Sequence, residues 1–246
     1  MITGASKGLG AVVAVALAEQ GHNLVLIARS REKLEEVRRT CRNSRQHLSI
    51  SADLLQMAEI PSVIQRARDF LKGVDVVLHA AGGGLGLKDD LLKSEEFSKL
   101  FNLNLGVAAE INRLVVPEMK EQGSGNLVHI GSIASSEGVG SVGYNTVKSA
   151  LAAYVRSLGR ELSRFNVIAT GILPGGFIAP GNAMSRLQAS NPKAYQRFIE
   201  ERLPRKVMGD AKELIPIINL LCSEGASMMG GCLVPIDAGE GKAYCI

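Results

Sequence analysis

Residues 1–28 read MITGASKGLGAVVAVALAEQGHNLVLIA. Glycines at positions 4, 8 and 10 make the first ten residues a tight turn. The apolar run after them predicts a buried helix to about Gln20, with Gly21 as its C-cap. A second apolar run, Leu24 to Ala28, is short and aliphatic, and predicts a strand. A glycine turn that opens a helix brings bare backbone N–H groups and the positive helix end together, which suits a pyrophosphate. Small residues are needed there for close backbone approach. Three glycines alone fit an ordinary turn equally well.

The strand–helix alternation continues outward from this unit. A helix from about Ser30 to Arg42 turns Leu34 and Val37 inward, and a strand from His47 to Ala52 ends at Asp53. The next helix has Pro61 in its first turn and runs to about Lys72. The strand Val74 to Ala80 is almost wholly apolar, as a strand covered on both faces should be, and opens into Gly82-Gly83-Gly84. A long helical stretch, Ser94 to Glu121, carries Asn102 and Asn104, where asparagine is a tolerated polar residue or marks a kink. The strand Asn126 to Ile130 delivers Gly131 and Ser132, and a helix follows from about Gly143 to Arg164. The strand Val167 to Leu173 runs into Pro174-Gly175-Gly176. Residues 180–205 form the longest connection, and its helical stretches (Ala183 to Leu187, Pro192 to Arg202) fit a lid or substrate-binding insert. A helix from Ala211 to Ser223 and a strand from Cys232 to Pro235 close the alternation. The order predicts an α/β fold: one domain over 1–246, a doubly wound parallel sheet with helices on both faces.

Composition limits the functional classes. Over 246 residues the chain is 46% hydrophobic and 21% charged, the balance of a globular protein. A net charge of +4 and only ten aromatics, with no basic face interleaved by aromatics, give no warrant for nucleic acid. Cys41, Cys222, Cys232 and Cys245 are scattered, with no CxxC pair and no histidine at ligand spacing. Free thiols in a reducing cytoplasm are therefore expected, and no metal site. Lys7 and the run Leu9 to Ala18 mimic a short signal peptide. The run is too short to span a bilayer, and a glycine turn and a strand frame it, so it is assigned to the first helix.

Tyr144 and Lys148 stand four apart, one turn along a helix, with Ser132 twelve residues before the tyrosine. An ammonium beside a phenol favours the phenolate, which predicts a tyrosine pKa pulled down toward the working range. Such a tyrosine exchanges protons with a carbonyl or alcohol oxygen. The spacing by itself also fits a surface pair. At the end of the second strand, Ala28 is followed by Arg29 rather than a carboxylate, with Lys7 in the glycine turn. Two cations there favour a ribose 2′-phosphate, hence NADP(H) over NAD(H).

Together these residues resemble the short-chain dehydrogenase/reductase family, essentially throughout the chain. The family's TGxxxGxG appears as Thr3-Gly4-Ala5-Ser6-Lys7-Gly8-Leu9-Gly10, its adenine-contacting aspartate as Asp53, and its YxxxK as Tyr144 and Lys148. Its asparagine falls on Asn104, its serine after the fifth strand on Ser132, and its PG on Pro174-Gly175. The resemblance implies about seven parallel strands and a catalytic set of Asn104, Ser132, Tyr144 and Lys148. It implies cofactor contacts from Thr3, Gly4, Ser6, Lys7, Gly8, Leu9, Gly10, Arg29, Asp53, Ala81, Gly82, Tyr144, Lys148, Pro174, Gly175, Phe177 and Ile178. Three features depart from the pattern: only Met1 and Ile2 precede Thr3, His79 stands where an asparagine is usual, and the threonine after the PG is absent. His79 is expected to be structural. The implied activity is NADPH-dependent interconversion of a ketone and a secondary alcohol. Candidate substrates include 3-oxoacyl carriers and sugars or surface-glycan intermediates; Arg186, Lys193, Arg197 and Arg202 in 180–205 would tolerate an anionic one. A catalytically idle NADP-sensing protein or a scaffold subunit is the competing class. Family members pair through the two long helices, and the broad apolar set Val107, Ile111, Leu114, Val115, Val116 and Met119 predicts a homodimer or homotetramer.

Overall fold

The structure, a computed structural model, describes residues 1–243; Cys245 lies outside them. The elements in chain order are β1 (Ile2–Thr3), α1 (Gly8–Glu19), β2 (Val25–Ala28), α2 (Arg31–Thr40), β3 (Leu48–Ser51), α3 (Ile60–Leu71) and β4 (Val76–His79). After these come α4 (Ser94–Phe101), α5 (Val107–Gln122), β5 (Gly125–Ile130), α6 (Val142–Leu162) and β6 (Val167–Pro174). Then follow β7 (Phe177–Ile178), α7 (Ala183–Ser190), α8 (Pro192–Arg202), β8 (Gly209–Asp210), α9 (Ile215–Leu221) and β9 (Leu233–Ile236). Seven strands form one sheet in the order β3-β2-β1-β4-β5-β6-β9, and every pairing is parallel. This is the doubly wound, Rossmann-like sheet that the alternation predicts.

The near-continuous apolar strands follow from burial on both faces. Leu26, Leu78, Val128 and Ile168 pack with α1 and α9 on one side. Their sequence neighbours Ile27, Val77, Leu127 and Val167 pack with α3 and α5 on the other. Because side chains alternate along a strand, each strand needs apolar residues at successive positions. The order in which strands are added reverses at the β1–β4 pair, although both run the same way, so the carboxyl ends of these strands bound a crevice. The phosphate-type turn after β1, the glycines after β4 and Ser132 after β5 all open onto it.

The helix predicted over Ser94 to Glu121 is interrupted. Residues Asn102–Gly106 form a turn of π-helix between α4 and α5. One extra residue per turn changes the direction in which following side chains point, and such bulges concentrate at functional sites. The structure also adds a two-stranded parallel sheet, β7 with β8, absent from the sequence reading. It anchors both ends of the segment carrying α7 and α8. Within that segment Tyr195, Ile199 and Leu203 form a small core with Met184, Leu187 and Phe198.

The argument for an interface on α5 changes. Val107, Ile111, Val115, Val116 and Met119 are buried in the chain's own core, beneath α3 and the sheet, with Leu114 packed against them. Their breadth reflects contact with two neighbours inside the chain rather than an unpartnered face.

Candidate active site

Lys148 lies two turns inside α6 and is 4% exposed. Its Nζ donates to the carbonyl of Ile130 at the end of β5, at 2.9 Å. It stands 5.7 Å from the centroid of the Tyr144 ring, one turn earlier on the same helix. Burial pulls the Lys148 pKa down from 10.5 to about 8. Ser132 caps the short turn after β5, its Oγ accepting the Ala134 N–H at 3.1 Å, and it hydrogen-bonds Tyr144.

The expected depression of the Tyr144 pKa is not observed. Burial raises it above its ordinary value, and the Ser132 hydrogen bond offsets this only in part. The ammonium of Lys148 is engaged by a backbone carbonyl and stands 5.7 Å from the ring centroid, and desolvation is the larger influence on the phenol. Tyr144 is accordingly a neutral acid at pH 7, and Lys148 a cation close to its titration point.

Asn104 sits in the π-turn, 3% exposed. Its Oδ1 accepts the Gly83 N–H at 3.0 Å, while Nδ2 donates to the carbonyls of Gly83 at 3.0 Å and Leu100 at 2.9 Å. Both amide hydrogens are used, and one lone pair of Oδ1 stays open. Gly82 lies between Asn104 and Lys148: a Cβ there would stand 3.1 Å from Asn104 Oδ1 and 3.5 Å from Lys148 Nζ. Asn102 does not join this group; its Oδ1 lies beside Gly106.

The glycine turn has the form a nucleotide needs. Gly4 has φ +68°, and a Cβ on it would stand 2.7 Å from the Ala81 nitrogen. Close packing of the turns after β1 and β4 therefore requires glycine. Thr3 Oγ1 accepts the Ala81 N–H at 3.2 Å, fastening those turns together. Lys7 is the N-cap of α1, no side chain caps the helix, and its first turn holds no acid. The Gly8 N–H donates to the carbonyl of Pro180 at 2.8 Å, so the segment before α7 folds back onto this turn. Lys7 has its pKa lowered by burial and then by Arg186, Lys33 and Arg29, a cluster of four cations. Arg29 and Lys7 were legible in the sequence; Lys33 and Arg186 were not singled out as cofactor contacts. Lys33 follows the N-cap Ser30 by three residues, a usable signal, whereas Arg186 arrives only because α7 folds onto the turn.

The remaining candidates divide. Ser6, Leu9 and Gly10 belong to the same turn. Asp53 follows β3, and its Oδ1 accepts the Leu55 N–H at 3.2 Å. Phe177 and Ile178 form β7, and Pro174-Gly175 end β6 against Glu240 and Asp237. His79 belongs to another network: its Nε2 meets Asn112 Oδ1 at 2.8 Å, and its ring stacks on His129 at 4.7 Å. Asn112 Nδ2 reaches His129 Nε2 and Tyr154 Oη, at 3.3 and 3.1 Å, and His129 Nδ1 contacts the Thr170 carbonyl at 2.9 Å. Burial, the first cause for both histidines, lowers the His79 pKa well below 6.5 and takes His129 to about 4. Two stacked neutral imidazoles here tie β4, β5 and β6 to α5 and α6.

The fold and the crevice define a doubly wound α/β protein built around a phosphate-type turn and a Lys–Tyr–Ser–Asn group whose lysine and asparagine are buried. Comparison with known proteins sharpens that class. Residues 1–189 match the short chain dehydrogenase family model. The chain is 31% identical to levodione reductase of Leifsonia aquatica over 253 residues, covering 99% of this chain and 94% of that one. It is 24% identical to the 3-oxoacyl-[acyl-carrier-protein] reductase MabA of Mycobacterium tuberculosis, over 99% and 93% of the two chains. It superposes on L-sorbose reductase from Gluconobacter frateurii, solved with NADPH and L-sorbose, with TM-score 0.89 and 26% identity, covering 99% and 96%. The chain belongs to the short-chain dehydrogenase family.

Proposed function

We propose that this enzyme interconverts a ketone and a secondary alcohol with NADP(H), and that it works as a reductase at neutral pH. The observation that carries this is the Tyr144–Lys148–Ser132 group at the end of β5, where Lys148 is tied to the Ile130 carbonyl one turn from the Tyr144 ring. L-sorbose reductase binds NADPH on the same fold, and levodione reductase is the relative with 31% identity.

The residues present fit a phosphorylated dinucleotide. The start of α1, which no side chain caps, and the turn through Gly4 would hold the pyrophosphate, and Lys7 with Arg29 the 2′-phosphate. Asp53 would meet the adenine, Ala81 and Gly82 the nicotinamide ribose, and Pro174, Gly175, Phe177 and Ile178 the nicotinamide side. Bound NADPH supplies the hydride. Ser132 donates a hydrogen bond to the substrate carbonyl and orients it. Tyr144, a neutral phenol, gives its proton to that oxygen. Lys148 has two N–H groups beyond the one on Ile130, enough for the ribose hydroxyls and a water. The open lone pair of Asn104 Oδ1 would accept from that water and let it restore the proton through Lys148.

We take residues 1–246 as one domain with 180–205 as its lid, and the working form as a homodimer or homotetramer. The exposed side chains Thr146, Ser149, Ala153 and Ser157 on α6 are small enough for close approach of a second copy. Sedimentation showing only monomer at micromolar concentration would contradict that. Cys41, Cys222 and Cys232 are unpaired, which supports a reducing compartment, the cytoplasm. Among the described residues no helix is long and apolar enough to cross a membrane. An idle NADP-binding protein is disfavoured by the intact catalytic set. The decisive assay follows NADPH absorbance against a panel of cyclic ketones, ketoses and 3-oxoacyl thioesters. Tight NADPH binding with no turnover across the panel refutes the proposal.

A further inference from the structure

The segment after β9 brings in one buried carboxylate that the catalytic reading leaves unused. The Glu240 side chain is 3% exposed. Its Oε1 accepts from Nη2 of Arg202, the last residue of α8, at 2.6 Å. Its Oε2 accepts the Gly176 N–H at 2.5 Å, in the turn after β6. The other arm of Arg202 donates to the Val139 carbonyl at 3.2 Å. Val139 precedes Gly140, where a Cβ would stand 2.9 Å from the Tyr144 ring. One ion pair thus joins the lid helix, the turn on the nicotinamide side and the loop leading to the proton donor. The Arg202 guanidinium also lies 4.9 Å from the Phe198 ring centroid, fixing its plane.

The other cations of the segment do not compete for this position. Lys193 and Arg197 are exposed. Arg186 donates to the Gly181 carbonyl near Lys7, and Arg205 pairs with Glu213. Arg202 is the cation of α8 turned toward the loop before Tyr144. An unpaired guanidinium in that place is a bidentate anchor for a substrate carboxylate. Paired with Glu240 it is not available, and the carboxylate itself repels anions.

We infer that Glu240 is a positioning and specificity-determining residue, which latches α8 through Arg202 and makes uncharged carbonyl compounds the substrate class. This rests on the ketone-reductase reading and narrows it, since the composition of 180–205 tolerates an anionic substrate. The two residues lie 38 apart in sequence, so composition does not reveal their pairing.

The test measures kcat/KM, with NADPH and the full-length enzyme, for a keto ester and the matching keto acid. Wild type should favour the ester by about tenfold or more. Glu240→Gln keeps an acceptor for Gly176 but frees Arg202, and should move the ratio toward the acid by about tenfold, mostly through the KM of the acid. Arg202→Gln leaves the carboxylate unpaired and should move it further toward the ester. The double variant should return within about threefold of wild type, because the two charges act as one unit. A merely structural role would shift both single variants the same way. If Glu240→Gln does not fold, Arg202→Gln and the double variant still decide. The inference is overturned if wild type takes the acid as readily as the ester, if the ratio does not move, or if both single variants move it alike. Absence of turnover with either compound, despite NADPH binding, overturns the reductase reading and this role with it. Ester turnover with unmoved ratios overturns only the role of Glu240.

Discussion

Replacing Lys148 with Met should make the protein more stable and nearly inactive at once. Lys148 is 4% exposed, and its ammonium has one carbonyl partner. Its pKa falls from 10.5 to about 8, which at about 1.4 kcal/mol per pH unit is a cost of about 3 kcal/mol for holding the charge in the folded state. Met fills similar space without the charge, and losing the bond to Ile130 returns about 1 kcal/mol. A net gain of about 2 kcal/mol at pH 7 follows. The pH dependence fixes the cause. The folded pKa is depressed, so the penalty is full below pH 8, shrinks between 8 and 10.5, and is absent above 10.5. Urea unfolding of both proteins from pH 6.5 to 10.5 should show the variant's advantage shrink over that window and end at about 1 kcal/mol in favour of wild type, because the bond to Ile130 survives loss of the charge. Turnover at pH 7 should fall by ~10²-fold or more. A variant less stable than wild type at pH 7, or a gap independent of pH, would refute the reasoning, since it would mean the charge is compensated in the fold.

Three other outcomes follow from the same structure. Tyr144→Phe removes the acid and keeps the ring, so turnover should drop ~10²-fold or more while NADPH affinity, read by fluorescence titration, stays within about threefold. Arg29→Asp should carry preference from NADPH toward NADH; an unchanged ratio of catalytic efficiencies for the two cofactors would remove the 2′-phosphate assignment, though Lys7 and Arg186 temper the shift. Because His129 is held neutral down to about pH 4 while an unfolded histidine protonates near 6.5, stability should decline as pH falls from 6.5 to 4. His129→Gln should flatten that decline by up to about 3 kcal/mol, measured as the slope of unfolding free energy against pH.

The fold was legible because the sheet is buried on both faces: aliphatic runs such as Leu24–Ala28 and Val74–Ala80 cannot be half-exposed strands, and helical periods separate them. The elements missed are those that side-chain period does not encode. The π-turn at Asn102–Gly106 is a backbone choice inside an apolar helical pattern, so Asn104 looked like a tolerated polar residue until matched to a family. The pairing of β7 with β8 joins two residues to two others over 30 positions later. Charge balance was the least legible: Tyr144 and Lys148 were correctly placed on one helix face, but how deeply each is buried, which sets both pKa values, depends on loops contributed by β4, β5 and β6.

These local exceptions fall together at the carboxyl ends of central strands. An asparagine interrupts a helix, a lysine is buried with one partner, and a tyrosine is pushed toward its neutral form, all beside the carboxyl ends of β4 and β5. Each departs from what stability alone would select, and all three stand beside the same strand ends. Strain and buried charge persist where surrounding structure over-determines them and where chemistry uses them. The rigid parts of this site are the ones that constrain backbone: Thr3 on Ala81, Asn104 on Gly83, Lys148 on Ile130. The segment carrying α7 and α8 is held differently, by an ion pair between Arg202 and Glu240 after β9. In the proposed reading, chemistry sits at the carboxyl ends of β4 and β5, and the choice of substrate in the Arg202–Glu240 pair that reaches the loop before Tyr144.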